Sequence, residues 1–353
     1  MTQTPWRITF DTNPDDCNLK CVMCEEHSPY SAKQTDRVAC GQPPRRMAIH
    51  VLEQVLGELK HSPPRELIPS TMGEPLLYQH FDRIVELCQL YGIRLNLTTN
   101  GTFPKRGVRA WAEIILPITS DVKISFNGIT AFTQEAIMLH TRLESILENI
   151  RIFIQRRDEL AAAGGNYCSV TLQLTFLEQN LPEIPEIVRL AAELNVDRVK
   201  GHHLWVHFDE MQGQDLRRSP DSVARWNETV ARCHAIAAEH LRPNGKPVRL
   251  EHFMPLEFQN SHAVVAESQC PFLGGEAWIN NAGRFDPCCA PDDRRKSLGS
   301  FGRVQEDGFL NIWNGQKYRD LLNNYKEREL CQTCLMRKPM ESTLQPNNEG
   351  DPK

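Results

Sequence analysis

Three cysteines, Cys17, Cys21 and Cys24, form a Cys-x3-Cys-x2-Cys triplet shortly after the apolar run Ile8-Thr-Phe10. Three thiols set so closely point to metal chemistry rather than core packing. A tight loop at a strand end can wrap three sulfurs around one face of a cubane cluster, each binding one iron and leaving the fourth iron open to an outside ligand. The alternative is structural zinc, which takes four closed ligands, usually from paired Cys-x2-Cys knuckles. The nearest extra candidates, His27 and Cys40, fit no such spacing.

A second set lies far downstream. Cys270 is followed by twelve residues to Gly283, four more to Cys288, and later by Cys331-Gln-Thr-Cys334. The stretch from Glu276 to Pro287 reads as a hairpin with an Asn-Ala-Gly turn, which would bring Cys270 and Cys288 together. A helix over 312–326 would fold Cys331 and Cys334 back onto them. Cys289 is a rival to Cys288, disfavoured by its spacing from Gly283. Four thiols in pairs also suit structural zinc.

These residues need a scaffold, and the chain alternates strand-like and helix-like stretches. β-rich runs occur at 7–12, 66–70, 94–99, 121–126, 169–176 and 198–206, with 3.6-period stretches at 48–60, 80–91, 108–116, 143–160, 184–194 and 222–240. Six β-then-α repeats with right-handed crossovers predict a parallel sheet curled into a partial six-unit barrel, with reactive loops at the strand C-termini. The first such loop carries the cysteines. The fifth and sixth strands end near Gln173, Thr175, His202 and His203. Only one of the two histidines can point inward. Gln173 and His203 are the candidates for substrate contact or proton transfer, with a core histidine as the structural alternative.

The triplet resembles the cluster loop of the radical S-adenosylmethionine (SAM) enzymes, whose free iron is chelated by the amino and carboxylate groups of SAM. Other loops carry the same resemblance. Ser70-Thr-Met-Gly-Glu-Pro75 is similar to the family's Gly-Gly-Glu-Pro motif, with Gly73 and Glu74 matching and Met72 replacing the first glycine. This implies a site for the SAM amino group. Thr98-Thr-Asn-Gly-Thr102 resembles the Thr-Asn-Gly turn, which brings in Thr99 and Asn100. Ser125-Phe-Asn-Gly128 resembles the Ser-x-Asp-Gly segment that contacts the ribose and carboxylate of SAM, so Ser125 and Asn127 are implied, with Asn127 where Asp is usual. Met23 stands where relatives often place an aromatic ring against adenine, and a thioether can pack there too. Gly-Glu-Pro and Asn-Gly are also ordinary turns.

The Cys-x12-Gly-x4-Cys spacing resembles the SPASM or twitch extension, which binds an auxiliary 4Fe-4S cluster. The sequence holds no cysteine after Cys334, so the resemblance implies one auxiliary cluster, on Cys270, Cys288, Cys331 and Cys334. The implied fold class is α/β: a partial (β/α)6 barrel over residues 1–241, a small α+β SPASM/twitch domain over 242–337, and a disordered polar tail over 338–353.

Twelve cysteines, about half in metal-ligand spacing and the rest scattered, argue against a secreted disulfide framework and for a reducing, cytoplasmic setting. The N-terminus has no basic and apolar targeting pattern, and no apolar run approaches membrane-spanning length. With 40 basic and 45 acidic residues interspersed, the formal net charge is -5 and no nucleic-acid surface is indicated. The short basic run Arg294-Arg295-Lys296 reads as a solvated face.

The resemblance implies that a reduced first cluster cleaves SAM to methionine and a 5'-deoxyadenosyl radical, which takes a hydrogen atom from substrate. A fully protein-ligated auxiliary cluster then favours oxidation, as dehydrogenation or cross-linking, by accepting an electron. The first strand begins within ten residues of Met1, which leaves no winged-helix extension for a leader peptide and favours a small metabolite, or a peptide presented by a partner. A reductant such as flavodoxin or ferredoxin is expected. The alternatives are a redox-neutral epimerase, lyase or C-C bond-forming enzyme, and a non-catalytic metal-binding scaffold.

Overall fold

The structure is a computed structural model that describes residues 4–70, 72–258, 268–334 and 336–337. The predicted tail, 338–353, lies outside them. In chain order the strands are β1 (Arg7–Phe10), β2 (Lys20–Cys21), β3 (Glu66–Ile68), β4 (Arg94–Thr99), β5 (Thr119–Ser125), β6 (Met138–Leu139), β7 (Ser169–Phe176), β8 (Arg198–His203), β9 (Arg249–Glu251), β10 (Glu276–Ile279) and β11 (Phe285–Asp286). The N-terminal helices are α1 (Lys33–Ala39), α2 (Ile49–Glu58), α3 (Phe81–Tyr91), α4 (Gly107–Ile115), α5 (Ala131–Ile137), α6 (Leu143–Ala162), α7 (Ile184–Glu193) and α8 (Pro220–Glu239). After the hairpin come α9 (Asp292–Arg295), α10 (Val304–Asp307), α11 (Phe309–Trp313), α12 (Gln316–Asn324) and α13 (Glu329–Gln332).

The six predicted strands, β1, β3, β4, β5, β7 and β8, are parallel neighbours in that order, and the helices between them cover one face. The result is a partial (β/α)6 barrel. Period-3.6 patterning explains the helices: α4 buries Val108, Trp111, Ala112 and Ile115 on one stripe. Period-2 patterning explains the strands. On β7, Leu172, Leu174 and Phe176 are fully buried in the main apolar core, while Thr171, Gln173 and Thr175 alternate toward the barrel interior.

The sheet does not stop at the six strands. β9 adds to β8 in parallel, and β10, far along the chain, adds in parallel to β1 in the register Arg7↔Glu276 through Phe10↔Ile279. β11 closes the predicted hairpin antiparallel to β10. The C-terminal segment is therefore hydrogen-bonded into the same nine-stranded sheet, across the boundary expected at 241/242. The helix expected over 312–326 is broken into α11 and α12.

Polar side chains link the strands from edge to edge. Arg7 pairs with Glu66 at 2.6 Å and with Glu276 at 3.1 Å, Asn96 donates to Glu66 at 3.0 Å, and Lys123 donates to Asn96. Asp121 takes Lys123 at 3.2 Å and Arg198 at 2.5 Å, and Arg198 reaches Glu251 at 2.9 Å. The chain of contacts runs from β10 to β9. Burial pushes the Glu276 carboxyl up to about 7; Arg7 opposes this and Glu66 adds to it.

A carboxyl raised in the folded state gives stability that is complete below its ordinary value of 4.5 and fades as pH rises toward 7. Glu276→Gln should flatten that slope, which amounts to at most ~3 kcal/mol between those limits. Chemical denaturation of wild type and variant at pH 5 and 7.5 tests this; parallel pH dependences would contradict it.

Candidate active site

The cysteine loop follows β1 and lies on an apolar bed. Leu19, Ile137, Met138, Leu177, Leu204 and Met211 are buried there, and Cys17, Cys21, Val22 and Met23 pack against them. Cys21 belongs to β2 and pairs with Met138 of β6, a short ribbon that fixes the middle of the loop. The Leu19 N–H donates to Cys17 Sγ at 3.5 Å and the His27 N–H to Cys24 Sγ at 3.4 Å.

The turn after β3 is keyed into this loop. Gly73 has φ +74°, and a Cβ there would lie 2.3 Å from the Asn13 carbonyl oxygen and 2.7 Å from that of Asp16. Only glycine permits that approach. The Glu74 N–H donates to the Asp16 carbonyl at 2.7 Å, and Asn13 Nδ2 donates to the Glu74 carbonyl at 2.9 Å. The Glu74 side chain, 1% exposed, accepts from Thr99 Oγ1 at 2.8 Å and from the Asn100 N–H at 2.7 Å. Burial raises its carboxyl to about 7. Asn100 Nδ2 in turn donates to Asn18 Oδ1 at 2.9 Å and lies 3.9 Å from Cys17 Sγ. Gly73, Glu74, Thr99 and Asn100 thus form one buried brace behind the cysteines.

Ser125 ends β5, in register with Gln173 of β7. Both lie on the barrel-facing side of the sheet. Asn127 is buried, and its Oδ1 accepts the Thr175 N–H at 2.9 Å, so part of its amide is committed to joining β5 to β7. Of the two histidines, His202 points inward, its Nε2 3.3 Å from Thr175 Oγ1. His203 lies on the opposite face, its ring 5.3 Å from Phe176 and 4.9 Å from Trp226 of α8. This corrects the choice of His203: strand alternation turns it to the helix side of the sheet, while burial lowers the pKa of both imidazoles, to about 4 for His202 and about 3 for His203.

The second cysteine group occupies an apolar pocket. Cys270, Cys288, Cys289, Cys331 and Cys334 line it with Phe272, Leu273 and Tyr325. Cys288 is part-buried and Cys289 exposed. Gly283, with φ +79°, makes the hairpin turn that returns the chain to Cys288. Tyr318 Oη accepts the Gly274 N–H at 2.9 Å, which holds the strand approach beside Cys270.

Both groups have the chemistry of iron-sulfur sites. Burial, with repulsion from Glu74 and Cys24, pushes the Cys17 thiol up to about 11, and burial likewise raises Cys21 and Cys24. Burial pushes Cys288 up to about 12 and Cys331 to about 11, with neighbouring cysteines adding to both shifts. Thiols crowded together in this way need a cationic centre to become thiolates. Among the described residues, no group of three or more His, Cys, Asp or Glu side chains is arranged to hold a metal ion.

Residues 14–191, half of the chain, match the family model of the radical SAM superfamily. The chain belongs to that superfamily. Residues 270–335 match the SPASM model, an iron-sulfur cluster-binding domain. The cofactors of this radical SAM protein are SAM and 4Fe-4S clusters, one of them auxiliary. It is 22% identical over 340 residues to the tungsten-containing aldehyde ferredoxin oxidoreductase cofactor-modifying protein of Pyrococcus furiosus, covering 91% of this chain and 85% of that one. Streptococcus suis SuiB bound to precursor peptide SuiA superimposes with a TM-score of 0.63 at 16% identity, over 90% of this chain and 67% of SuiB. The anSMEcpe protein with bound AdoMet gives a TM-score of 0.63 at 13% identity, over 94% of this chain and 85% of its own. These structures show the shared fold. Among the described residues, no helix is long and apolar enough to cross a membrane.

Several residues that build this radical SAM site carry no spacing signal. Asn13 and Asn18 act through amides in an unremarkable loop. Arg295, expected on a solvated face, is only 8% exposed and lies within 3.6 Å of Asp11, 3.3 Å of Asp286 and 3.0 Å of Asp292. It ties the end of β1 to the hairpin. The loops 28–44 and 208–220, which hold α1 and a short 3-10 helix (Asp209–Gln214), meet where Tyr30 and Phe208 pack with ring centres 6.1 Å apart.

Gly73→Ala should cost at least ~1 kcal/mol in denaturant unfolding, because its Cβ meets backbone rather than a flexible side chain. It should also lower iron loading at the first cysteine loop while the SPASM group retains its iron. Unchanged stability and unchanged iron content would contradict the keyed turn.

Proposed function

We propose that this radical SAM protein oxidises a small metabolite or a peptide, by dehydrogenation or cross-linking. In this reading Cys17, Cys21 and Cys24 hold the SAM-binding cluster, and Cys270, Cys288, Cys331 and Cys334 hold the auxiliary one within residues 242–337. When bound, the first cluster and SAM supply a hydrogen-abstracting 5'-deoxyadenosyl radical, and the auxiliary cluster supplies a place for the electron that oxidation releases.

The chain's own residues supply position and exclusion of water. In this reading Met23, Ser125 and Asn127 contact SAM, while Glu74, Thr99 and Asn100 hold the loop that binds it. Gln173 and the inward His202 offer polar contacts to substrate, and His202, neutral at pH 7 because burial lowers its pKa to about 4, takes the substrate-contact role first given to His203. A reductant such as flavodoxin or ferredoxin and a cytoplasmic setting complete the reading. The observation that carries it is the pairing of a three-cysteine loop at the barrel mouth with a second, enclosed group holding four cysteines in the expected spacing. The relatives bear on substrate only through their names: SuiB is described with a precursor peptide, and the Pyrococcus furiosus protein as cofactor-modifying.

Anaerobic reconstitution should give about eight irons per chain, with dithionite-driven release of 5'-deoxyadenosine that is lost in the Cys17/Cys21/Cys24 triple alanine variant. Bound zinc would contradict the reading and favour a scaffold. With substrate, oxidation predicts one SAM consumed per oxidised product; product without net oxidation would make the enzyme redox-neutral. Cys288→Ala should remove about four irons while Cys289→Ala keeps them, and the reverse result would exchange their roles.

A further inference from the structure

One short segment runs between the apolar bed of the first cysteine loop and the pocket of the second cysteine group. After β8 the chain runs through Leu204-Trp-Val-His-Phe208, and alternate residues face different sites. Leu204, Val206 and Phe208 pack in the apolar bed that supports Cys17, Cys21 and Met23. Trp205, between them, turns the other way and lines the pocket of Cys270, Cys288, Cys331 and Cys334. No other residue of β8 or its loop lines that pocket among the described residues.

The segment is anchored on both sides. Arg217 Nη2 donates to the Leu204 carbonyl at 2.7 Å. The Arg294 guanidinium lies over the Trp205 ring, 5.1 Å from its centre, and a cation in that position holds an indole face. Arg294 belongs to α9, whose next residue, Arg295, bridges Asp11 and Asp286. The indole therefore sits between the end of β8 and α9, in the second pocket.

We propose that Trp205 is a positioning residue for the auxiliary cluster: it closes that pocket on its barrel side and keeps water from the cluster. The inference rests on the two-cluster reading and goes beyond ligand assignment. Solvent exposure is one of the factors that set an iron-sulfur potential, because water stabilises the more highly charged reduced form of a thiolate-bound cluster. Opening the pocket should raise the potential of that cluster alone.

The test uses reconstituted full-length protein as wild type, Trp205→Phe, Trp205→Ala and Arg294→Ala. Each is titrated potentiometrically with electron paramagnetic resonance, and the auxiliary signal is assigned in the Cys17/Cys21/Cys24 triple alanine background. Loss of auxiliary iron to a chelator is timed in the same background. Trp205→Ala should shift the auxiliary midpoint upward and speed iron loss several-fold. Trp205→Phe should stay near wild type, and Arg294→Ala should fall between them. The midpoint of the first cluster should not move. An unmoved auxiliary midpoint and unchanged iron loss in a fully loaded Trp205→Ala protein would overturn the proposal, as would equal shifts at both clusters. A Trp205→Ala protein too unstable to load leaves the decision to Trp205→Phe and Arg294→Ala: no change in iron loss in Arg294→Ala would then count against it. A wild type with only one cluster would instead overturn the two-cluster reading beneath it.

Discussion

The parallel pairing of β10 with β1 is the constraint on which both cysteine sites depend. β1 leads into the first cysteine loop, and β10 leads through the hairpin to Cys288. Strands in one sheet are held about 4.8 Å apart, so the register Arg7↔Glu276 fixes two chemically active segments that are distant in sequence. An isolated two-stranded hairpin is marginal in water. Here β1 supplies the third strand, and the Arg7 guanidinium, shared between Glu66 and Glu276, adds a side-chain clamp to the main-chain ladder. Arg295 repeats the arrangement at the other end of the strands, between Asp11 and Asp286.

Electrostatics gives those fixed positions their purpose. In each cysteine group burial raises thiol pKa values, at Cys17 and Cys24 in the first and at Cys288 and Cys331 in the second, and neighbouring sulfurs add to the shifts at Cys17, Cys288 and Cys331. Acidic neighbours, Glu74 at Cys17 and Glu25 and Glu26 at Cys24, push in the same direction. Such groups are costly unless a cationic centre stabilises the thiolates. The brace of Gly73, Glu74, Thr99 and Asn100 spends its hydrogen bonds on keeping the first loop in place, which pre-organises the sulfurs before any metal arrives.

Local periodicity made the barrel legible in the sequence. The six parallel strands and the six helices following them were set by alternations of two and 3.6 that no long-range contact overrides, as on β7 and α4. Cysteine spacing located both metal sites for the same reason: loop ligands must be close in sequence. Long-range pairing was not legible. Nothing in Glu276-Ala-Trp-Ile279 announces β1 as its partner, and β9 is only three residues long. The choice between His202 and His203 turned on which parity of β8 faces the barrel, a single-residue register question that composition does not answer. Arg295 looked solvated because two of its acidic partners are distant in sequence or in another element, Asp11 just after β1 and Asp286 in β11.

The most direct measurement is diffraction from reconstituted, SAM-bound crystals at energies on either side of the iron absorption edge, repeated at the zinc edge. A two-cluster radical enzyme requires iron at two separate sites, one beside Cys17, Cys21 and Cys24 with SAM on its open iron, the other enclosed by Cys270, Cys288, Cys331 and Cys334. Zinc at the second site, or iron at only one of the two, would contradict it.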